Sequence, residues 1–133
     1  MELQRKPYDE YKQQSVLTAG PMELVIMLYD GLIKQMKLSS IYINEKSFEK
    51  SNNALILAQD IVNELLMSLD MSFDISNDLM SLYEYVIHEL IQINIEKDVE
   101  KLKPLIEMMT ELRDTWSAIS KNSDAVKAYR FEE

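Results

Sequence analysis

The chain has no cysteine, which excludes disulfides and thiolate metal sites and fits a reducing compartment. With 2 glycines and 3 prolines in 133 residues there is little turn chemistry, so helices joined by short links are expected. No apolar run reaches the length of a membrane span, and the opening Met1-Glu2-Leu3-Gln4-Arg5 is not a signal peptide. A cytoplasmic protein without membrane insertion is the expectation. Positive charge is also short. The formal net charge is −9, which repels nucleic-acid phosphate, and no basic stripe offsets it. No nucleic-acid partner is expected.

Catalytic groups are equally scarce. Di-iron sites in helical bundles need two Glu-x-x-His pairs on facing helices. This chain has one histidine, His88, and neither Glu84 nor Glu89 stands at that spacing. There is no glycine-rich phosphate loop, and no serine can be matched with a base and an orienting group beyond His88. No metal, cofactor or catalytic residue is expected. One reaction class remains open, a histidine phosphotransfer bundle using His88. Its helical neighbours are Glu84 and Gln92, and carboxylates close by repel a phosphohistidine. A plain surface histidine is the simpler reading.

What is present points to helices. The length suits one domain, with a core large enough to fold without staples. The 9 methionines suit either gap-filling in a helical core or surfaces that adapt to a partner. The organising stretch runs from Thr18 to Gly31. Thr18 and Gly20 suit a helix start, Pro21 fits a first turn, and Glu23 sits near the positive end of the helix dipole. Leu24 to Tyr29 are then apolar without a gap. Two turns that are apolar all round imply packing on both sides. One side serves a bundle. The other serves either further core or a partner.

Residues 1–17 read as a polar N-terminal arm with an isolated pair, Tyr8 and Tyr11. The first helix is expected from Pro21 to about Ile43, with Met22, Val25, Tyr29, Leu32 and Met36 as its stripe. Gly31 inside it suggests close approach of a neighbouring backbone. Asn44 to Ser47 form the turn. The second helix spans about Phe48 to Leu69. Phe48, Leu55, Ala58, Val62, Leu65 and Leu69 make its seam, with Ile56 and Leu66 off it. Ser76 is the expected cap of the third helix. That helix carries two stripes, Leu79-Leu82-Val86-Ile93 and Met80-Tyr83-Ile87-Leu90-Ile91, and ends near Asn94 to Lys97. Asp98 caps a short turn toward Pro104. The fourth helix runs from about Pro104 to Ser120 with Leu105, Met109, Leu112, Trp116 and Ile119 on one face. Residues 121–133, with Ala125, Val126, Tyr129 and Phe131, are compatible with a short amphipathic helix or a loose tail.

The expected fold is therefore all-α, an antiparallel up-down four-helix bundle over residues 18–120, preceded by an N-terminal arm and followed by that tail. The whole of 1–133 forms one domain.

Several pieces resemble one family. Thr18-Ala19-Gly20-Pro21-x-Glu23-Leu24-x-x-Met27-Leu28-Tyr29-Asp30-Gly31 is similar to the opening motif of the flagellar secretion chaperones that bind flagellin. Asn77-x-Leu79-x-Ser81-Leu82-Tyr83-x-Tyr85 with Asn94-Ile95-x-Lys97-Asp98 resembles their third helix. Leu112-Arg113-Asp114-x-Trp116 resembles the fourth, and Pro7-Tyr8-x-x-Tyr11 the N-terminal arm. Gly20 stands where the family often has Ser or Thr, and His88-Glu89 where it often has a basic pair.

The resemblance implies a non-enzymatic cytosolic export chaperone. Such a protein holds the C-terminal segment of flagellin in apolar grooves, prevents premature polymerisation and delivers it to the flagellar type III export gate. A co-chaperone and a homodimer of the free protein are further partners to consider. Matching positions assign client contact to Leu24, Met27, Leu28, Gly31, Leu79, Leu82, Tyr83 and Val86. Tyr8 and Tyr11 are assigned to the arm, which covers a groove without client and touches the export gate with it. The rival readings are the His88 phosphotransfer bundle and a helical adaptor with another partner.

Overall fold

In the computed structural model the described residues are 21–118 and 120. The arm at 1–17, the capping stretch 18–20, Ile119 and the tail at 121–133 lie outside them. Four helices make up the described chain: α1 Pro21–Asn44, α2 Phe48–Met67, α3 Asp74–Glu96 and α4 Leu102–Ala118. A 3-10 turn, Val99–Lys101, leads into α4.

The helix ends show how local chemistry closes each link. After α1 the chain reverses through Lys46, whose φ is 62°. Its N–H donates to the Ile43 carbonyl at 2.9 Å, and Ser47 N–H donates to Tyr42 at 2.8 Å, so the last carbonyls are satisfied. Lys97 ends α3 in the same way, with φ 54° and its N–H on the Ile93 carbonyl at 2.6 Å. Lysine rather than glycine occupies both left-handed positions, at a backbone cost of about 1 kcal/mol each. Asp98 caps the 3-10 turn as expected, its Oδ1 accepting from Glu100 N–H at 3.2 Å.

Three boundaries differ from the sequence reading. α4 begins at Leu102 rather than Pro104, because the 3-10 turn runs directly into it. α2 ends at Met67 rather than Leu69, because Ser68 Oγ donates back to the Glu64 carbonyl at 2.8 Å and closes the last turn. α3 starts at Asp74, two residues before the expected cap. Ser76 is instead a fully buried residue of the first turn, and its Oγ donates to the Asp70 carbonyl at 2.6 Å. The serine serves the link between α2 and α3 rather than the helix terminus. Ser39 and Ser51 follow the same rule, donating to carbonyls three residues earlier, so these buried hydroxyls stay paired.

The core is one continuous apolar cluster. The α1 stripe Met22-Val25-Tyr29-Leu32-Met36 is buried in full. So is the α2 seam except Phe48, which is exposed in the first turn. On α3 the two expected stripes merge. Leu79, Tyr83, Val86, Leu90 and Ile93 face the core, while Leu82, Met80 and Ile87 sit half-buried at its edges and Ile91 is exposed. On α4, Leu105, Met109 and Trp116 are buried and Leu112 is at the edge.

The links are short, so consecutive helices run antiparallel. Their packing is unequal. α1 lies closely on α2, α2 on α3, and α4 on the free side of α1. α3 and α4 touch at few places although they follow each other in the chain. The seam between them stays parted.

Candidate functional site

The structure separates the eight residues assigned to client contact. Leu24, Leu28, Leu79, Tyr83 and Val86 are buried. Met27, Gly31 and Leu82 are partly exposed. Leu28, Leu79, Tyr83 and Val86 belong to the contiguous core, and their side chains hold the bundle together. Tyr8 and Tyr11 lie outside the described residues.

Gly31 needs less room than the sequence suggests. A Cβ built there meets no backbone of another helix; its neighbour is the Ile61 side chain, with Cδ1 at 3.5 Å, an ordinary van der Waals contact. Gly31→Ala should therefore raise stability by about 0.5–1 kcal/mol, the helix-propensity gain of alanine over glycine. Urea unfolding measures it, and a loss of stability would mean that Ile61 cannot tolerate the methyl group.

A second apolar band lies outside the core, along the α2–α3 seam. Asn94 Nδ2 donates to Asn52 Oδ1 at 2.7 Å and ties the two helices together. Lys97 Nζ donates to Asn94 Oδ1 at 2.5 Å, and burial pulls this lysine below its ordinary pKa. Counted from the Asn52–Asn94 tie along antiparallel helices, Ile56 falls within one residue of Ile91 and Leu66 level with Met80. Ile56 is 44% exposed, Ile91 39% and Ile95 70%, with Phe48 exposed near the same end. Leu66, Met80 and Ile87 are half-buried against the core beneath. Isolated exposed apolar residues need no explanation, but a row of them along one seam does. Sequence reasoning placed Ile56 and Leu66 off the seam and Met80, Ile87 and Ile91 in a second stripe without assigning them a role. That second stripe was the available signal.

Two long-range contacts place the frame. Tyr29 of α1 and Tyr83 of α3 meet inside the core, hydroxyl to hydroxyl at 2.6 Å, with rings edge to face at 6.4 Å between centroids. Arg113 of α4 grips Asp30 of α1, Nε to Oδ1 at 2.8 Å and Nη2 to Oδ2 at 3.5 Å. The hydrogen bond and charge of Asp30 push the arginine pKa up, Asp114 adding to the effect. The pair is partly exposed and contributes only about 0.2–1 kcal/mol. Its larger consequence is positional: a fork of two N–H groups sets the rotation of α4 on α1. Asp30 and Arg113 stand in the first and last of the bundle motifs, 83 residues apart, and meet only in the fold.

His88 is exposed, with Glu84 one turn before it and Gln92 one turn after. Among the described residues no group of three or more His, Asp or Glu side chains could hold a metal ion. No described helix is long and apolar enough to cross a membrane.

The described residues form a helical bundle with a filled core and further apolar side chains exposed along one seam. Comparison with known proteins narrows the class. The family described as flagellar protein FliS matches residues 4–123, and this chain belongs to it. The flagellar secretion chaperone FliS of Bacillus subtilis (strain 168) is 37% identical over 112 residues, 84% of each chain. Its counterpart of the same name in Escherichia coli (strain K12) is 27% identical over 107 residues, 78% of this chain and 79% of that one. That of Salmonella typhimurium is 26% identical over 111 residues, 81% and 82%. The family assigns the chain a role in flagellar secretion as a chaperone.

Proposed function

We propose that this protein is a cytosolic export chaperone for flagellin. It binds the C-terminal segment of flagellin, keeps it from polymerising, and brings it to the flagellar type III export gate, without catalysing a reaction. The observation that carries the reading is the apolar band of Ile56, Ile91, Ile95 and Phe48 outside an already complete core. An amphipathic client helix laid on this band buries its own apolar face there. Each apolar side chain so buried contributes roughly 1.5–3 kcal/mol before ordering costs. Met27, Gly31 and Leu82 are the motif residues with surface to offer a client that continues around the bundle. The buried motif residues Leu24, Leu28, Leu79, Tyr83 and Val86 act beneath that surface, setting its shape. The acidic surface keeps the chaperone soluble while apolar side chains are exposed. Tyr8 and Tyr11 are assigned to the export gate. A co-chaperone and a dimer of the free protein remain compatible with the same exposed band.

Titration calorimetry with a flagellin C-terminal peptide tests the reading. Saturable binding with a strongly negative heat-capacity change is expected, the sign of apolar burial. Absence of binding, or binding with a heat-capacity change near zero, overturns it.

A further inference from the structure

The parted seam between α3 and α4 holds a cleft of about 190 Å³ lined by Tyr85, Glu89, Lys101, Pro104, Leu105 and Met108. Its floor is apolar: Leu105 is buried and Met108 is half-buried against the core. Tyr85 stands on the α3 wall, 51% exposed. The volume is below the roughly 300–1,000 Å³ of a small-molecule or cofactor pocket. It matches one large side chain, the scale of an anchor residue at a protein interface.

The charge around the cleft is one-sided. Lys101 is the cation of the lining, and it is spent on Glu96 at 3.3 Å. Its pKa is raised first by the hydrogen bond and charge of Glu96, with Asp98 and Glu89 adding to the field. Three carboxylates thus act on one ammonium group. The neighbouring lysines are engaged elsewhere, Lys103 with Glu100 at 3.2 Å and Lys97 with Asn94. Glu89 lines the cleft half-buried and makes no hydrogen bond or ion pair to any described residue. A partly buried glutamate beside an aromatic ring and a thioether is complementary to a cation flanking an aromatic side chain.

We propose that the α3–α4 cleft is a second docking site, for a partner polypeptide that inserts one aromatic side chain and presents an adjacent arginine or lysine to Glu89. The aromatic ring enters between Tyr85 and Met108 above Leu105, and the cation pairs with Glu89 at the rim. The site lies on the opposite flank of α3 from the Ile87–Ile91 band. The inference goes beyond flagellin binding and does not depend on it.

The test uses the full-length, isotope-labelled protein and NMR titration with three probes: Gly-Arg-Trp-Arg-Gly, Gly-Arg-Ala-Arg-Gly and Gly-Glu-Trp-Glu-Gly. The first probe should give saturable shifts centred on Tyr85, Glu89, Lys101, Leu105 and Met108, without shifts at Ile56 or Ile91, weakening with added salt. The alanine and glutamate probes should bind at least about tenfold more weakly, since each lacks one of the two recognised features. Tyr85→Ala and Glu89→Gln should each weaken the first probe by roughly three- to tenfold, on a single exposed contact or charge. Both variants should keep the affinity for the flagellin peptide, which separates failure here from failure of the client site. Equal binding of all three probes overturns the proposal, as do shifts centred on Ile56 and Ile91 or no saturable shifts. Movement of the same resonances on dilution of the free protein also overturns it, because a second copy would then be the occupant.

Discussion

Aspartate at both Ile56 and Ile91 should weaken binding of the flagellin C-terminal peptide by at least about a hundredfold while leaving the bundle folded. Each isoleucine offers an apolar surface whose burial by client contributes roughly 1.5–3 kcal/mol, and about 1.4 kcal/mol is tenfold in affinity. A carboxylate at the same place must in addition be desolvated under the client helix. Both positions are partly exposed in the free protein. Stability should therefore change by no more than about 1 kcal/mol for the pair, well short of the penalty for a polar group in a core. Calorimetry gives the affinity and urea unfolding the stability. Wild-type affinity in the folded double variant would show that the client does not use the α2–α3 seam. A collapse of stability would show that these side chains belong to the core after all.

The second large effect concerns Tyr83. Tyr83→Ala should cost about 3–5 kcal/mol, the range for removing a large aromatic side chain from a packed interior. That is a substantial fraction of the roughly 5–15 kcal/mol that holds a domain of this size together. Tyr83→Phe keeps the ring and loses the 2.6 Å bond to Tyr29, so about 0.5–1.5 kcal/mol is expected from that bond. Urea unfolding with an unchanged dependence on denaturant would assign both losses to the folded state. The phenylalanine variant should bind the flagellin peptide as the wild type does, because the Tyr83 hydroxyl is inside the bundle. A large loss of client affinity at intact stability would instead make Tyr83 a contact residue, as the motif alone suggested.

Much of the architecture was legible without coordinates because it is local. Helix periodicity marked Met22, Val25, Tyr29, Leu32 and Met36 of the buried face of α1 but not Leu24, Leu28, Ile33 and Ile43, and Asp98 was recognisable as a cap from its place before a short turn. Ser76 misled for a related reason. A serine before an apolar run resembles a cap, but here its hydroxyl reaches back six residues to Asp70, a contact that depends on how the α2–α3 link folds. The proposed client surface was half legible. Met80, Ile87 and Ile91 formed a visible second stripe, yet nothing in the stripe says whether another helix covers it.

The chain by itself determined the four helices of the described residues, their approximate ends and the direction of each apolar face, since these follow from side-chain spacing along a 3.6-residue turn. Tertiary structure alone decided which apolar residues are covered. Coverage depends on which helix lies on each flank, and that is settled by contacts far apart in sequence: Tyr29 with Tyr83, Asp30 with Arg113, Asn52 with Asn94. Connectivity would have set α4 against α3. α4 rests on α1 instead, and the seam this leaves parted, like the uncovered band on α2 and α3, is a property of packing that no stretch of the sequence contains on its own.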